Sequence, residues 1–241
     1  MTLHRIALPE SLTVASLEAL VSSLEAAVAD TDARAWALVG SEKTFCRGMD
    51  LAAMVGEGAD AGKSLSRFAT CVAHLRRAPR PTIAVVLGDA LGGGVGLAAA
   101  CDVVLCAPQT TFALPEALFG LLPGVILPVL LERMTPQRAR LFALRGRAHG
   151  AEWARESGLV DEIVAAEELD RAAARVAKEL GRAAPERVLG LRSWIFEIAE
   201  LEADGALSRG AAVTAGLVGE PEVQEAVRRF VEDGTPPWMD R

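Results

Sequence analysis

The stretch from Pro81 to Ala100 constrains the fold more than any other part of this chain. An apolar run, Pro81-Thr82-Ile83-Ala84-Val85-Val86-Leu87, leads through Gly88-Asp89-Ala90-Leu91 into Gly92-Gly93-Gly94-Val95-Gly96, and then into Leu97-Ala98-Ala99-Ala100. A β-rich strand therefore runs into a glycine bend and out into a helix of small residues. Glycines this dense let backbone N–H groups approach something that is not protein. At a helix start those N–H groups lack carbonyl acceptors, and the helix dipole adds partial positive charge. The stretch has the physics of a receptor for an anion or an oxyanion.

The local string Gly94-Val95-Gly96-Leu97-Ala98-Ala99 matches the dinucleotide fingerprint G-x-G-x-x-A, and Glu116 follows 22 residues after Gly94. The context opposes that reading. Gly94 stands seven residues past Leu87, and about seven residues separate it from Asp102, short of the dozen or so that a parallel crossover needs. No Gly-Lys-Ser/Thr follows, so the phosphate loop of nucleotide hydrolases is absent as well. A tight turn with close helix packing remains the plain structural alternative.

The rest of the chain reads as α/β. Strands are expected at 4–8, 34–39, 81–87, 102–106, 112–114 and 159–164, with residues 40–50 a glycine-bearing, charged connection. Helices are expected at 13–29, 63–77, 136–144, 151–157 and 167–180, and from 185 to 231 the pattern is helical throughout. Strands fill the first two thirds and helices the last third, as in an α/β core followed by a helical region. With 241 residues, 51% of them hydrophobic, the chain can build a large core. A net charge of −7 disfavours nucleic acid and anionic membrane surfaces as partners. No apolar run is long enough to span a bilayer, and the first residues do not read as a signal peptide.

Cys46, Cys71, Cys101 and Cys106 show no metal-binding spacing and read as buried, reduced thiols, which favours a cytoplasmic location. His4, His74 and His149 are scattered and read as surface or structural residues. There is no Tyr, so no mechanism that needs a phenol applies. No metal, flavin or nicotinamide cofactor is indicated. Trp36, Trp153, Trp194 and Trp238 read as core or interface anchors, with Trp194 placed to meet a neighbouring subunit or a tunnel wall.

Several segments taken in order resemble one family. Phe45-Cys46-Arg47-Gly48-Met49-Asp50-Leu51 is similar to the F-C-x-G-x-D-L element of the enoyl-CoA hydratase/isomerase (crotonase) superfamily. Ala90-Leu91-Gly92-Gly93-Gly94, followed by Cys101-Asp102-Val103-Val104, resembles its second glycine element. Phe112-Ala113-Leu114-Pro115-Glu116, running on through Gly120 to Pro123-Gly124, resembles F-x-x-P-E-x-x-x-G-x-x-P-G. Leu144-Arg145-Gly146 and Ala151 to Asp161 resemble the later L-x-G and A-x-x-A-x-x-x-G-L-V-D elements. The match runs from about residue 34 to 166.

The resemblance implies a spiral of ββα units over 1–184 and an α-helical region over 185–241 that contributes to oligomerisation and to a tunnel wall. It also implies a homotrimer or a dimer of trimers. The implied substrate is an acyl thioester on coenzyme A or on the phosphopantetheine arm of an acyl carrier protein. The shared chemical step of the family stabilises an enolate made from that thioester. By position, the backbone N–H groups of Met49 and Gly93 would donate to its oxygen and Glu116 would be the acid/base. Substrate-binding positions would be Cys46, Arg47, Gly48, Asp50, Leu51, Gly92, Pro115, Phe119 and Gly124.

One departure bears on the reaction. Hydratases of this family carry a second Glu in the pattern G-G-G-x-E, where this chain has Gly96. Hydration asks one group to activate water and another to protonate the α carbon. One carboxylate suffices to move a double bond between the β,γ and α,β positions, so an enoyl-thioester isomerase is the favoured expectation. Alternatives are a decarboxylase, or a hydratase that borrows Asp50, Glu57, Asp89 or Asp102 as its second acid. A catalytically weak acyl-thioester binder or scaffold is the alternative of another class. Asp102 also reads as a structural cap beside the strand that follows it. Arg47 is a candidate contact for the carrier, and Arg76, Arg77 and Arg80 form a basic cluster that also reads as a solvated helix end. Met54, Leu118, Phe119 and Val125 are candidates for the tunnel lining.

Overall fold

A computed structural model describes residues 2–51 and 61–234; the expectations for Met54, Glu57 and Trp238 fall outside them. The chain divides into two compact units, Met1–Leu180 and Gly181–Arg241.

In the first unit, β1 (Thr2–Ala7), β2 (Ala33–Val39), β4 (Thr82–Val86), β6 (Val103–Cys106) and β9 (Glu162–Ile163) form one sheet in that order. β3 (Thr44–Cys46), β5 (Asp89–Leu91), β7 (Thr111–Ala113) and β8 (His149–Gly150) form a second. Neighbouring strands are parallel except for β7 and β8. Each strand of the first sheet from β2 to β6 is followed by a short strand of the second and then by helix. The helices are α2 (Ala61–Arg76) after β3, α3 (Gly93–Ala99) after β5, and, after β7, a 3-10 turn (Glu116–Phe119) with α4 (Ile126–Leu131). This alternation is the expected spiral of ββα units.

The central strands of the first sheet, β2, β4 and β6, bury both faces. Trp36, Leu38, Ala84, Val86 and Val104 face a core shared with Phe45, Phe68, Phe112 and with Leu17, Leu20 and Leu24 of α1 (Val14–Ala29). Ala35, Ala37, Ile83, Val85 and Leu105 face α7 (Leu169–Leu180) through Ala173 and Val176. Period-two alternation between two apolar faces explains why these strands read as unbroken hydrophobic runs. Thr13 caps α1, accepting from the Ser16 N–H at 3.1 Å while Ser16 Oγ accepts from the Thr13 N–H at 2.8 Å.

Two polar clamps hold the spiral around α3. The Asp102 carboxylate accepts from the Thr82 N–H at 2.7 Å and from its hydroxyl at 3.0 Å, joining β4 to the start of β6. Arg133, after α4, donates to the carbonyls of Ala99 at 3.0 Å and Cys101 at 2.5 Å and pairs with Asp161 at 3.1 Å. It thereby satisfies carbonyl groups at the C-terminal end of α3.

Several expected elements are corrected. Only Glu162–Ile163 of the expected strand 159–164 is a strand. Gly158 turns left-handed at φ +89°, and the N–H groups of Leu159 and Val160 fold back onto the Ala154 carbonyl to close α6 (Ala151–Glu156), which follows α5 (Pro136–Arg145). The connection 40–50 contains β3, and the glycine stretch contains β5. The helical pattern from 185 to 231 is three helices, α8 (Pro185–Ala199), α9 (Ala203–Val218) and α10 (Pro221–Asp233). A helix was also missed at Ile126–Leu131, where Pro128 sits in the first turn and its missing N–H costs nothing.

The second unit consists of α8, α9 and α10. Trp194 of α8 packs beside Gly210 of α9, and Arg209 of α9 pairs with Glu197 of α8 at 2.9 Å. Among its described side chains only Ala226 is buried, whereas Ile195, Phe196, Leu207, Phe230 and Val231 are exposed. Among the described residues no helix is long and apolar enough to cross a membrane.

Candidate active site

The site begins with two bends that touch. The first, Arg47 to Asp50, is pinned along residues 10–12. The Arg47 N–H donates to the Glu10 carbonyl at 2.7 Å, the Leu12 N–H to the Gly48 carbonyl at 2.8 Å, and the Asp50 N–H to the Leu12 carbonyl at 3.1 Å. This parallel bridge uses the groups flanking Met49 and leaves the Met49 N–H out of it. Gly48 adopts φ +80°, a left-handed conformation that favours glycine.

The second bend, at Gly92, joins β5 to α3. Gly92 donates to the Ala113 carbonyl at 2.9 Å, which extends the β5–β7 pairing, and its own carbonyl accepts from Val95 at 2.9 Å and Gly96 at 3.2 Å. Gly93 is the first residue of α3, so its N–H has no acceptor within the helix. A methyl group on Gly48 would lie 2.6 Å from the Gly93 amide nitrogen, and one on Gly94 would lie 2.1 Å from the Cys46 carbonyl oxygen. The missing Cβ atoms are what allow the bends to pack backbone to backbone.

Glu116 opens the 3-10 turn after Pro115. A methyl on Gly92 would lie 2.9 Å from Glu116 Oε1, so the carboxyl group stands directly over the second bend. Its Oε2 is buried and has no hydrogen-bond partner among the described residues. Burial pushes the acid above the usual carboxylate range, opposed in part by its own backbone N–H. Burial that disfavours the charged form makes the carboxylate a stronger base than an exposed one, the property a group that takes up and returns a proton needs.

These groups surround a cavity of about 140 Å³. Of the residues expected from sequence, Arg47, Met49, Leu51, Gly92, Gly93, Pro115, Glu116, Phe119, Gly124 and Val125 line it. Cys46, Gly48 and Asp50 are not among its lining residues. Cys46 and Gly48 back the wall, with Cys46 Sγ accepting from the Gly48 N–H at 3.5 Å, and Asp50 serves the bridge to Leu12. Leu118 turns away and packs on Gly146.

Glu116 is the one carboxylate among the described lining residues. Asp89 accepts from the Thr111 N–H and hydroxyl at 2.9 and 2.8 Å and joins β5 to β7, so it and Asp102 are structural clamps. Arg76 pairs with Glu132 at 2.6 Å, and Arg80 donates to the Ala33 carbonyl at 3.0 Å; the basic cluster is not at the cavity. Arg47, exposed, pairs with Glu10 at 3.4 Å.

Leu65, Phe68, Leu121, Leu122, Pro123 and Ile126 also line the cavity and were not singled out from sequence. Phe68 belongs to the buried stripe of α2, and its spacing there carries no mark that distinguishes a cavity wall from core.

A ββα spiral with two touching glycine bends and a desolvated acid beside them defines a crotonase-type α/β protein. Solved structures share the fold. An enoyl-CoA hydratase from Mycobacterium smegmatis superposes with a TM-score of 0.86 at 25% identity, covering 98% of this chain and 95% of that one. An enoyl-CoA hydratase from Bacillus anthracis gives 0.86 at 27% identity, covering 99% and 96%. The family model described as enoyl-CoA hydratase/isomerase matches residues 1–241, and the chain belongs to that family. Curated relatives include the 2,3-dehydroadipyl-CoA hydratase of Escherichia coli K12, 28% identical over all of this chain and 94% of its own length. The carnitinyl-CoA dehydratase of Salmonella typhi is 33% identical over 84% of this chain and 79% of its own length.

Proposed function

We propose that this protein is an enoyl-thioester isomerase. Glu116 takes a proton from the α carbon of a β,γ-unsaturated acyl thioester and returns it to the γ carbon, leaving the α,β isomer. Between the two steps the thioester oxygen of a dienolate carries the charge, and the N–H groups of Met49 and Gly93 donate to it. Removing one such donor costs about 2.7–4 kcal/mol of transition-state stabilisation in comparable sites. The observation that carries the reading is that Glu116 is the single carboxylate among the described residues lining the cavity. One acid that both accepts and returns the proton meets the needs of a double-bond shift.

Hydration or dehydration is the second reading, favoured by the names of the relatives, a hydratase and a dehydratase. It needs a second proton carrier, and neither Asp89 nor Asp102 supplies one at this cavity. Solvent deuterium separates an enolising enzyme from a binder. The wild type should wash deuterium into a butenoyl thioester and Glu116→Gln should not, whereas a protein that only binds the thioester shows no exchange in either form.

The substrate arm is pantetheine, carried by coenzyme A or an acyl carrier protein, with Arg47 at the mouth as the carrier contact. The exposed apolar side chains of α8 to α10 support packing against further copies of the chain, in a homotrimer or dimer of trimers, which sedimentation would read directly. Four buried cysteines, none of them in a disulfide, fit a reducing, cytoplasmic setting.

A further inference from the structure

Phe68 and Ile126 meet over Gly96. A methyl on Gly96 would lie 3.1 Å from both Phe68 Cζ and Ile126 Cγ1, and one on Gly93 would lie 3.4 Å from Phe68 Cε2. The Phe68 ring therefore covers about one turn of α3 surface, from Gly93 to Gly96, and Ile126 stands beside it. Phe68 is 1% exposed and Ile126 4%, and both line the cavity. They are its buried lining, whereas Arg47, Leu51, Phe119, Leu121 and Leu122 line it as exposed residues.

We propose that Phe68 and Ile126 are the specificity-determining residues of this site, forming a hydrocarbon end wall that selects short, uncharged acyl groups. The proposal rests on the reading that the cavity receives the acyl part of a thioester. Three observations carry it. First, the wall has little room to move toward α3, because even a methyl on Gly96 would lie only 3.1 Å from both side chains. Second, the cavity of about 140 Å³ matches the size at which an apolar protein cavity accommodates a benzene-sized hydrocarbon. Third, among the described lining residues only Arg47 and Glu116 are charged, and none is Ser, Thr, Asn, Gln or His. A charged acyl terminus against this buried lining would lose its water and find no partner. Each methylene that does fit gains about 0.8 kcal/mol, roughly fourfold in affinity. An acyl group too long for the space must displace Ile126 or Phe68.

Saturated thioesters test this without any reaction, since they have no double bond to move. Calorimetry would compare butyryl, hexanoyl, decanoyl and adipoyl pantetheine thioesters on wild type, Ile126→Ala and Ile126→Val. On the wild type, hexanoyl should bind at least about 100-fold tighter than adipoyl, its carboxylate-ended counterpart of equal carbon number. Decanoyl should bind more weakly than hexanoyl. Ile126→Ala should raise the decanoyl-to-hexanoyl affinity ratio about tenfold, with a smaller rise in Ile126→Val, which keeps the fold if the alanine form does not. Equal wild-type affinity for hexanoyl and adipoyl, an unchanged length preference in both variants, or no binding of any thioester would overturn the proposal. If the binding order holds but no deuterium exchange occurs, the isomerase reading fails alone. If exchange occurs and the order is wrong, the end wall fails alone.

Discussion

Gly48 and Gly93 touch: a methyl on Gly48 would lie 2.6 Å from the Gly93 amide nitrogen, and one on Gly93 would lie 3.3 Å from Gly48 Cα. The two bends are therefore one rigid backbone unit. Neither N–H donor next to the cavity can shift without moving the other bend.

Glycine substitutions should split sharply by position. Gly94→Ala places a methyl 2.1 Å from the Cys46 carbonyl oxygen, a backbone atom that cannot yield. We expect a loss of more than about 3 kcal/mol in denaturant unfolding, or no folded protein. Gly124 has nothing within 4 Å of the added methyl, and its backbone is not left-handed, so Gly124→Ala should leave stability within about 0.5 kcal/mol.

Glu116→Gln should remove proton exchange by about a hundredfold or more, the usual scale of general acid–base catalysis. It should also carry a stability signature. Burial raises the folded-state pKa of Glu116 above its unfolded value. The stabilising contribution of the protonated acid is therefore complete below the unfolded carboxylate pKa, about 4.3. It is lost as pH rises through the raised folded value. Thermal melts should show the Gln variant gaining on the wild type as pH rises above the unfolded carboxylate value of about 4.3. A gap independent of pH would contradict a buried, ionising Glu116.

The thiols should be inert in the native protein. Burial pushes Cys46 up to about 11 and Cys71 and Cys106 up to about 12, and Cys101 is 4% exposed. Reaction with a thiol-specific disulfide reagent at neutral pH should be negligible until denaturant is added, when all four react.

Arg133→Met should be destabilising although the side chain is far from the bends in sequence. Its guanidinium, 10% exposed, serves the Ala99 and Cys101 carbonyls and Asp161. Charge-assisted bonds of this kind are each worth about 1.5–3 kcal/mol. Unfolding by urea should show a loss of about 2–4 kcal/mol.

Much of the site was legible in the sequence because its chemistry is carried by the backbone. Glycine at 48, 92, 93 and 94 is a constraint that survives in the letters, and the order of the motifs placed Glu116 beside them. Of the second sheet only β7, expected at 112–114, was legible. Strands such as Thr44–Cys46 and Asp89–Leu91 are too short to show an alternating period, and tertiary pairing alone creates them. The cavity's end wall was hidden for another reason. Phe68 and Ile126 are apolar residues at ordinary core spacing, and only their meeting over Gly96 sets them apart. Leu159 and Val160 misled as strand because β-branched and apolar letters also serve a helix C-cap.

The central claim, one acid moving one proton between two carbons, is tested most directly by the product. But-3-enoyl thioester is incubated in deuterium oxide with the wild type and with Glu116→Gln, and the acyl chain is followed by proton NMR. The account predicts conversion to the but-2-enoyl thioester by the wild type alone, with deuterium entering at the terminal carbon. A 3-hydroxybutanoyl thioester as the main product, or unchanged conversion by Glu116→Gln, would contradict it.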